Sequence, residues 1–437
     1  MKVAIAGGGL SGLSAAWALA GVGVEAHVYE SRQMPGGRAA SYPMPDGQGG
    51  KELLDNSQHI LLRCCRNLLE LYRQLGVDHL IDFYDSYTFL EPGGRESRLG
   101  AGKLPPPLHL MGGFLGLRFL GWADKVAIAR GMTAVKREHA RGPLLDHQTM
   151  EAWLLRHGQT RNTLRYFWEP VLISAVNGTL TQISAWQGIR LIYLGFLTDP
   201  TFYHMGVPRA LLGEVHAAEL WAKRPGLHLH LGEAVTGIPV EDRQVAGLQV
   251  SGSIAEADAY ILALPFERVR NLLPEAAPSM EGVRQSPIAG IHLRFDRQVT
   301  TLPHAALLDR TMQWFFSRED GRMLSLVVSA AETLESMKKE EIVALAVREM
   351  AEFLPHVAEA KLLQSWVIRE TQATFLASPG FEAKRPGTRT VYPNTFLAGE
   401  WTNTGWPSTM EGAVISGYRA AEAVCARFGI PARFVQD

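Results

Sequence analysis

The run VAIAG at 3–7 is short, apolar and unbroken, and in the stretch LSGLSAAWALAGVG after it small and aliphatic residues recur up to a glycine stop. Such a pattern predicts a buried strand followed by a helix packed on it. AHVYE at 26–30 is a second strand, and strand, glycine turn, helix, strand is the right-handed crossover of a parallel sheet. From Asn67 to Leu80 the pattern LLELYRQLGVDHL predicts an amphipathic helix with a glycine stop, and YDSYTFLEPGGRESRLG at 84–100 alternates like a hairpin turning at EPGG. Residues 104–214 read as mostly helical.

Strands return in LHLHLGEAVTGIPVE at 227–241, RQVAGLQVSG and DAYILALP at 258–265. Longer alternating runs, IAGIHLRF, TMQWFFSR, MLSLVVSA and QSWVIRETQATF, predict an antiparallel or mixed sheet interrupted by the charged helix ETLESMKKEEIVALAVREMAEFL. TFLAGE at 395–400 is a last short strand before the helix GAVISGYRAAEAVCARFG. At 437 residues two domains are expected, and their elements interleave along the chain.

Charge changes the picture only by exclusion. With 43 basic and 44 acidic residues, the net charge of -1 argues against a nucleic-acid footprint spread over the protein. The three cysteines, two of them adjacent at Cys64 and Cys65, form neither a disulfide framework nor a metal-ligand spacing, which favours a reducing compartment. The histidines show no spacing of the HExxH kind, so no metal is expected. The signal-like N-terminus is better explained by a folded nucleotide unit, because its glycines fall at fixed offsets. No window has the 18 or more uninterrupted apolar residues of a spanning helix. Leu108 to Arg130 sets bulky apolar residues beside Arg118, Lys125 and Arg130, the composition of a segment lying on a membrane. An ordinary helix of the substrate domain is the alternative.

Gly7, Gly9 and Gly12 satisfy GxGxxG between the first strand and its helix, and Glu30 ends the next strand. Gly7 permits the tight turn, Gly9 lets backbone N–H groups approach a pyrophosphate, and Gly12 lets the helix sit close to the sheet. Glu30 is placed to accept ribose hydroxyls. A second glycine-rich turn, SRQMPGGRAAS with Arg38, suits a long cofactor lying across the domain. AGEWTNTGWPSTMEGAVISG places Gly399 and Glu400 after a strand and starts a helix near Thr409 to Ala413, whose positive end could face an electron-rich ring oxygen.

One further stretch stands out. LLDNSQHILL at 53–62 puts five polar side chains between aliphatic pairs. It reads either as a turn in which Asp55 caps a helix or as a reactive segment.

GGGLSGLSAAWALA, YESRQMPGGRA, VTGI, ILALP and FLAGEWTNTGWPSTMEGAVISG together resemble the FAD-dependent amine oxidase and carotenoid desaturase superfamily. LLDNSQHILL, LRYFWEPVLISAVNG and the C-terminal motif resemble most closely the squalene-associated flavoenzymes, the hydroxysqualene dehydroxylases. The resemblance implies an α/β fold: a Rossmann-like FAD-binding domain of the GR2 type at 1–80, 215–285 and 390–437, interleaved with an α+β substrate domain at 81–214 and 286–389. FAD is the implied cofactor. Gly7, Gly9, Leu10, Ser11, Gly12, Glu30, Ser31, Gly36, Gly37 and Arg38 would handle its adenosine and pyrophosphate half, and the Val235 backbone would meet the adenine. Gly399 and Glu400 would sit by the diphosphate and ribityl chain, with Thr409, Met410 and Glu411 beside the isoalloxazine. Ser57 stands where relatives commonly have glycine.

The implied reaction converts hydroxysqualene to squalene while reduced FAD is oxidised and water leaves. Asp55 and His59 are then expected as a proton-donating or hydrogen-bonding pair, with Gln58 positioning substrate or ring. Glu169 is a weaker candidate acid. Trp168, Asn177, Phe202 and Trp314 are candidate linings of a substrate passage, with core packing as the alternative for the aromatics, and Arg369 and Glu370 a candidate buried pair. A polyisoprenoid substrate, peripheral contact with the inner face of the cell membrane from the cytoplasm, and coupling to squalene-pathway prenyl synthases complete the expectation. Desaturation of a carotenoid precursor and a non-catalytic isoprenoid carrier remain open, since the sequence does not fix electron direction.

Overall fold

Strands Lys2–Ala6, Glu25–Glu30, Leu227–Leu231, Ala259–Leu262 and Thr395–Leu397 form one parallel sheet, assembled from three separate stretches of chain. They are seen in a computed structural model that describes residues 1–47, 49–277, 280 and 282–436. Leu227–Leu231 is one edge and Thr395–Leu397 the other, with Lys2–Ala6 in the centre. Lys2–Ala6 past its first residue and the whole of Ala259–Leu262 are buried and almost entirely apolar because both faces are covered. Val3, Ile5 and Ile261 pack under helices Leu10–Ala20 and Met410–Arg427. Ala4, Ala6, Tyr260 and Leu262 meet the small antiparallel sheet of Val235–Gly237, Leu248–Val250 and Ser253–Ala255.

The second sheet has seven strands in the order Leu362–Phe375, Gln285–Phe295, Met323–Ser329, Trp314–Arg318, His304–Leu307, Ser86–Leu90 and Glu96–Gly100. All its pairings are antiparallel except His304–Leu307 with Ser86–Leu90. The alternation of Gln285–Phe295 sorts its residues by face. Ile291 and Leu293 pack on the helix Lys339–Phe353, while Gly290 and His292 turn toward the segment around Asn56. Helices Trp122–Glu138, Met150–Arg156, Glu169–Val176 and Ala185–Ile192 form a layer beyond Trp314 and Phe316. Within the predicted helical stretch one piece is a strand: Met205–Pro208 pairs with both Leu61–Leu62 and Ile81–Tyr84. The predicted helix after Asn67 runs Arg66–Leu75 and stops at Gly76, whose φ of 74° lies in the left-handed region.

Candidate active site

The glycine turn after the first strand has no room for a side chain at Gly7 or Gly12. A Cβ on Gly12 would lie 2.0 Å from the Gly7 carbonyl oxygen, and one on Gly7 would lie 2.4 Å from that of Ala263. The helix therefore starts against bare backbone, leaving its first N–H groups open to an anion. The second glycine turn docks on the first through Gly36 N–H to Gly8 O at 2.9 Å. Glu30 is buried beside them; it accepts the N–H of Gly8 at 2.8 Å, that of Arg32 at 2.8 Å and the Ser31 hydroxyl at 3.0 Å. Its carboxylate keeps lone pairs for further donors.

His216 holds the second turn in place, a role with no local signature in the sequence. Its Nδ1 must donate to the Ala39 carbonyl at 3.1 Å, so Nε2 accepts from the Tyr72 hydroxyl at 2.9 Å. Burial lowers its pKa to about 4, and the ring is neutral.

Arg38 and Glu400, expected at separate parts of the cofactor, form an ion pair. Burial works against the Arg38 charge, yet Glu400, with Glu267 and Glu370, offsets it and leaves the pKa above its ordinary value. The loop after Glu400 is held by Arg385, whose side chain is fully buried. Arg385 donates to the carbonyls of Glu400 at 2.8 Å, Thr402 at 2.8 Å and Trp406 at 2.6 Å, to the Thr404 hydroxyl at 2.9 Å and to Glu382 at 2.7 Å. Gly399 N–H donates to Ser416 Oγ at 2.9 Å, which ties the loop to the C-terminal helix.

The segment 55–59 is interior. Asp55 ends the strand Lys51–Asp55 and is 5% exposed. Its Oδ1 accepts the Ser41 hydroxyl at 2.7 Å and the N–H of Leu212 at 2.9 Å, at the start of the short helix Leu212–Val215. Burial raises the Asp55 pKa, opposed by the bonds from Ser41 and Leu212 and by nearby His59 and Arg318. His59 sits deep in the fold yet keeps accessible surface. Its Nδ1 must donate to Ser57 O at 3.1 Å, which leaves Nε2 as a lone-pair acceptor in the neutral ring. Burial lowers the His59 pKa, while the Ser57 carbonyl, Asp55 and Glu370 pull it up. A strand of the second sheet clamps this segment: His292 Nε2 donates to Asp55 O at 3.0 Å, and a Cβ on Gly290 would lie 2.4 Å from Asn56 O.

Other expectations are corrected. Gln58 is engaged locally, accepting from Arg318 at 3.0 Å and donating to His59 O at 3.2 Å. Glu411 turns its carboxylate onto the start of the helix Arg66–Leu75, where it accepts from Asn67 N–H at 3.1 Å and Leu68 N–H at 2.7 Å. Thr409 and Met410 are not displaced: they lie at the helix start the sequence predicts, Thr409 capping it through Gly412 N–H at 3.3 Å and Met410 its first residue. Trp168 is 0% exposed and donates to Gln159 at 2.8 Å, so it has no face for a substrate. Asn177 is a clamp: it donates to Ser286 O and Thr374 Oγ1 and accepts from Ala330 N–H. Trp314 is buried and donates to Ser174 at 2.9 Å.

Phe202 is half-buried. Glu169 lines a cleft of about 510 Å³ with Ser174, Thr311 and Gln313, and burial raises its pKa. Val235 pairs with Val250, and its carbonyl accepts from Arg268 at 3.2 Å. Arg369 and Glu370 are no buried pair, because neighbours in a strand point to opposite faces. Arg369 is exposed and binds the carbonyls of Glu335 and Met337. Glu370 instead lies near enough to raise both Arg38 and His59.

The parallel sheet, the sealed glycine turn and the buried acid at its second strand define a dinucleotide-binding flavoprotein fold. The chain belongs to the flavin-containing amine oxidoreductase family, whose profile matches residues 10–425. It is 31% identical to the hydroxysqualene dehydroxylase of Rhodopseudomonas palustris, over 97% of this chain and 98% of that one. The 15-cis-phytoene desaturase of Synechococcus elongatus is 27% identical over 98% of this chain and 96% of that one. Among solved structures, an oxidoreductase from Methanosarcina mazei superposes with a TM-score of 0.71 at 17% identity, covering 95% and 99% of the two chains. A putrescine oxidase superposes at 0.70 and 17% identity over 98% and 99%. FAD is the cofactor of the family, and the cradle fits it: two glycine turns, the first without room for a Cβ at Gly7 and Gly12 and the second without room at Gly36, a carboxylate at Glu30 and a guanidinium at Arg38.

Proposed function

We propose that the protein reductively dehydroxylates hydroxysqualene to squalene. The observation that carries this reading is the end-to-end match, at 31% identity, to the Rhodopseudomonas palustris hydroxysqualene dehydroxylase. The reaction takes hydroxysqualene and reduced FAD to squalene, oxidised FAD and water. Bound reduced FAD supplies hydride to the carbon that loses oxygen. Gly7, Gly9, Leu10, Ser11, Gly12, Glu30, Ser31, Gly36, Gly37 and Arg38 hold the adenosine and pyrophosphate end, with the Val235 backbone at the adenine. Gly399, Glu400, Thr409 and Met410 serve the other end.

The chain's own task is the leaving oxygen. Hydroxide departs poorly from carbon, so the alcohol needs a proton as the bond breaks. His59 is the residue best built to supply it: Ser57 O fixes the ring through Nδ1–H, which reserves Nε2 for the substrate oxygen. The proton donated from Nε2 is that of the imidazolium form, and the charges of Asp55 and Glu370 favour that form against burial. Asp55 acts through His59 and through the helix it caps, and Gln58, held by Arg318, fixes the backbone carbonyl of His59. Water has to be kept from the allylic cation until hydride arrives, which an apolar substrate passage would do.

A second reading, desaturation of a polyene precursor, is favoured by the full-length match to the Synechococcus elongatus phytoene desaturase. Anaerobic incubation separates the two. Squalene formed from hydroxysqualene with stoichiometric oxidation of reduced FAD supports dehydroxylation. Reduction of oxidised FAD by phytoene supports desaturation, and binding of either without turnover supports a carrier and overturns both.

The substrate is oil-soluble, and peripheral membrane docking is part of the proposal, as is coupling to the prenyl synthases of the squalene pathway. No helix among the described residues is long and apolar enough to cross a membrane. Leu104, Leu108, Leu115, Trp122, Val126 and Leu144 are exposed, with exposed Lys103 before them and exposed Arg118 and Arg130 among them along the chain. Lys125, expected at the membrane surface, is turned inward onto Leu115 O at 2.7 Å. Co-sedimentation with anionic vesicles should be lost on charge reversal of Arg118 and Arg130; no binding by the unaltered protein removes this part of the proposal.

A further inference from the structure

We propose that Glu25, His27 and His228 form a binding site for a divalent transition-metal ion of the zinc class. Their donor atoms, one per residue, all lie within 4.8 Å of one another at the edge of the parallel sheet. The register brings them together. His27 pairs with His228 and Tyr29 with His230 across parallel neighbours, so the four rings project from one face. Glu25 precedes His27 by two residues and shares that face.

The rings stack as a ladder. His27 lies between His228, at 4.5 Å between centroids, and His230, at 5.3 Å, with Tyr29 stacked on His230 at 4.5 Å. Glu25 Oε1 is 2.9 Å from His27 Nε2 and 3.7 Å from His228 Nε2. Donors around tetrahedral zinc stand about 3.4 Å apart, so both separations need only small side-chain shifts.

The outer contacts fit the same reading. His27 Nδ1 is 3.0 Å from His230 Nε2. A proton on His27 Nδ1 donated to His230 frees His27 Nε2 as a ligand, the outer hydrogen bond that metal-binding histidines typically have. Leu227–Leu231 is an edge strand, and His228 and Glu25 are about half exposed, which leaves room for water at the fourth position. Spacing along the sequence hid the site, because its two histidines come from distant strands.

Equilibrium dialysis of tag-free, FAD-loaded protein against Zn²⁺ tests the proposal. One equivalent should bind in the micromolar range or tighter. Affinity should fall more than about tenfold in His27→Gln and in His228→Gln, and about tenfold in His230→Gln, with FAD absorbance retained. Binding by the His27→Gln/His228→Gln double variant equal to that of the unaltered protein would overturn it. Cu²⁺ bound to the unaltered protein gives a second reading free of any folding defect: electron paramagnetic resonance should show coupling to two imidazole nitrogens, and one or none would sink the site.

Discussion

Asp55 accepts the backbone N–H of Leu212 at 2.9 Å across 157 positions of sequence, on the same oxygen that accepts the Ser41 hydroxyl. The carboxylate beside the proposed proton donor is thus also a cap that joins a strand to a distant helix. Asp55→Ala should cost about 2 kcal/mol of stability, because it strands buried donors. Asp55→Asn keeps an oxygen acceptor and should cost less than half as much while still lowering turnover. Urea unfolding beside single-turnover rates checks both; equal stability loss in the two variants would contradict the capping role.

The pH dependence of turnover should carry the signature of His59. Burial puts its folded pKa below the ordinary 6.5, so the protonated form and the rate should fall as pH rises through a value below that. Asp55 and Glu370 pull the pKa up, and Glu370→Gln should therefore move this limb to lower pH. An unchanged limb in Glu370→Gln, or a rate independent of His59, would remove the histidine from the proton path.

Arg385 should be unforgiving even to lysine. Its guanidinium donates to three carbonyls, a hydroxyl and Glu382, and a single ammonium reaches few of these together. Arg385→Lys should destabilise the fold by about 3 kcal/mol and weaken FAD retention at least about tenfold. FAD release on gel filtration and the thermal midpoint read the two effects.

Acid should unfold the protein early. His216 and His292 are buried, with folded pKa values of about 4 against 6.5 for the free side chain. Between these values the unfolded chain takes up protons the folded one refuses, so stability falls as pH drops from 6.5 toward 4 and levels off below. Each site contributes about 3 kcal/mol over that window. Urea midpoints at pH 7.5 and 5 should differ accordingly, and His216→Gln should shrink the difference.

The parallel strands and the first glycine turn were readable because local rules govern them. A helix start packed on its own turn, as Gly12 is on the Gly7 carbonyl, an unbroken apolar strand and an acid at the next strand's end are each set by neighbours within one crossover unit. The hairpin at 84–100 and the glycine stop at Gly76 were readable on the same grounds. Trp168 and Asn177 misled because composition does not say whether an aromatic or amide faces a cavity or the core, and both are fully engaged inside. Arg369 and Glu370 were adjacent in sequence but opposed across a strand.

The amino-acid sequence by itself determined the nucleotide turn, its acid Glu30 and the family, since these rest on spacings of a few residues and on whole motifs. Only the tertiary structure decided that Asp55 caps a helix from another part of the chain, that Arg38 meets Glu400, that Glu411 is spent on the start of a helix and that two distant strands align His27 with His228. The physical reason is that a hydrogen bond or ion pair depends on distances of about 3 Å in space, and pairing distant strands sets such distances without leaving any period in the chain.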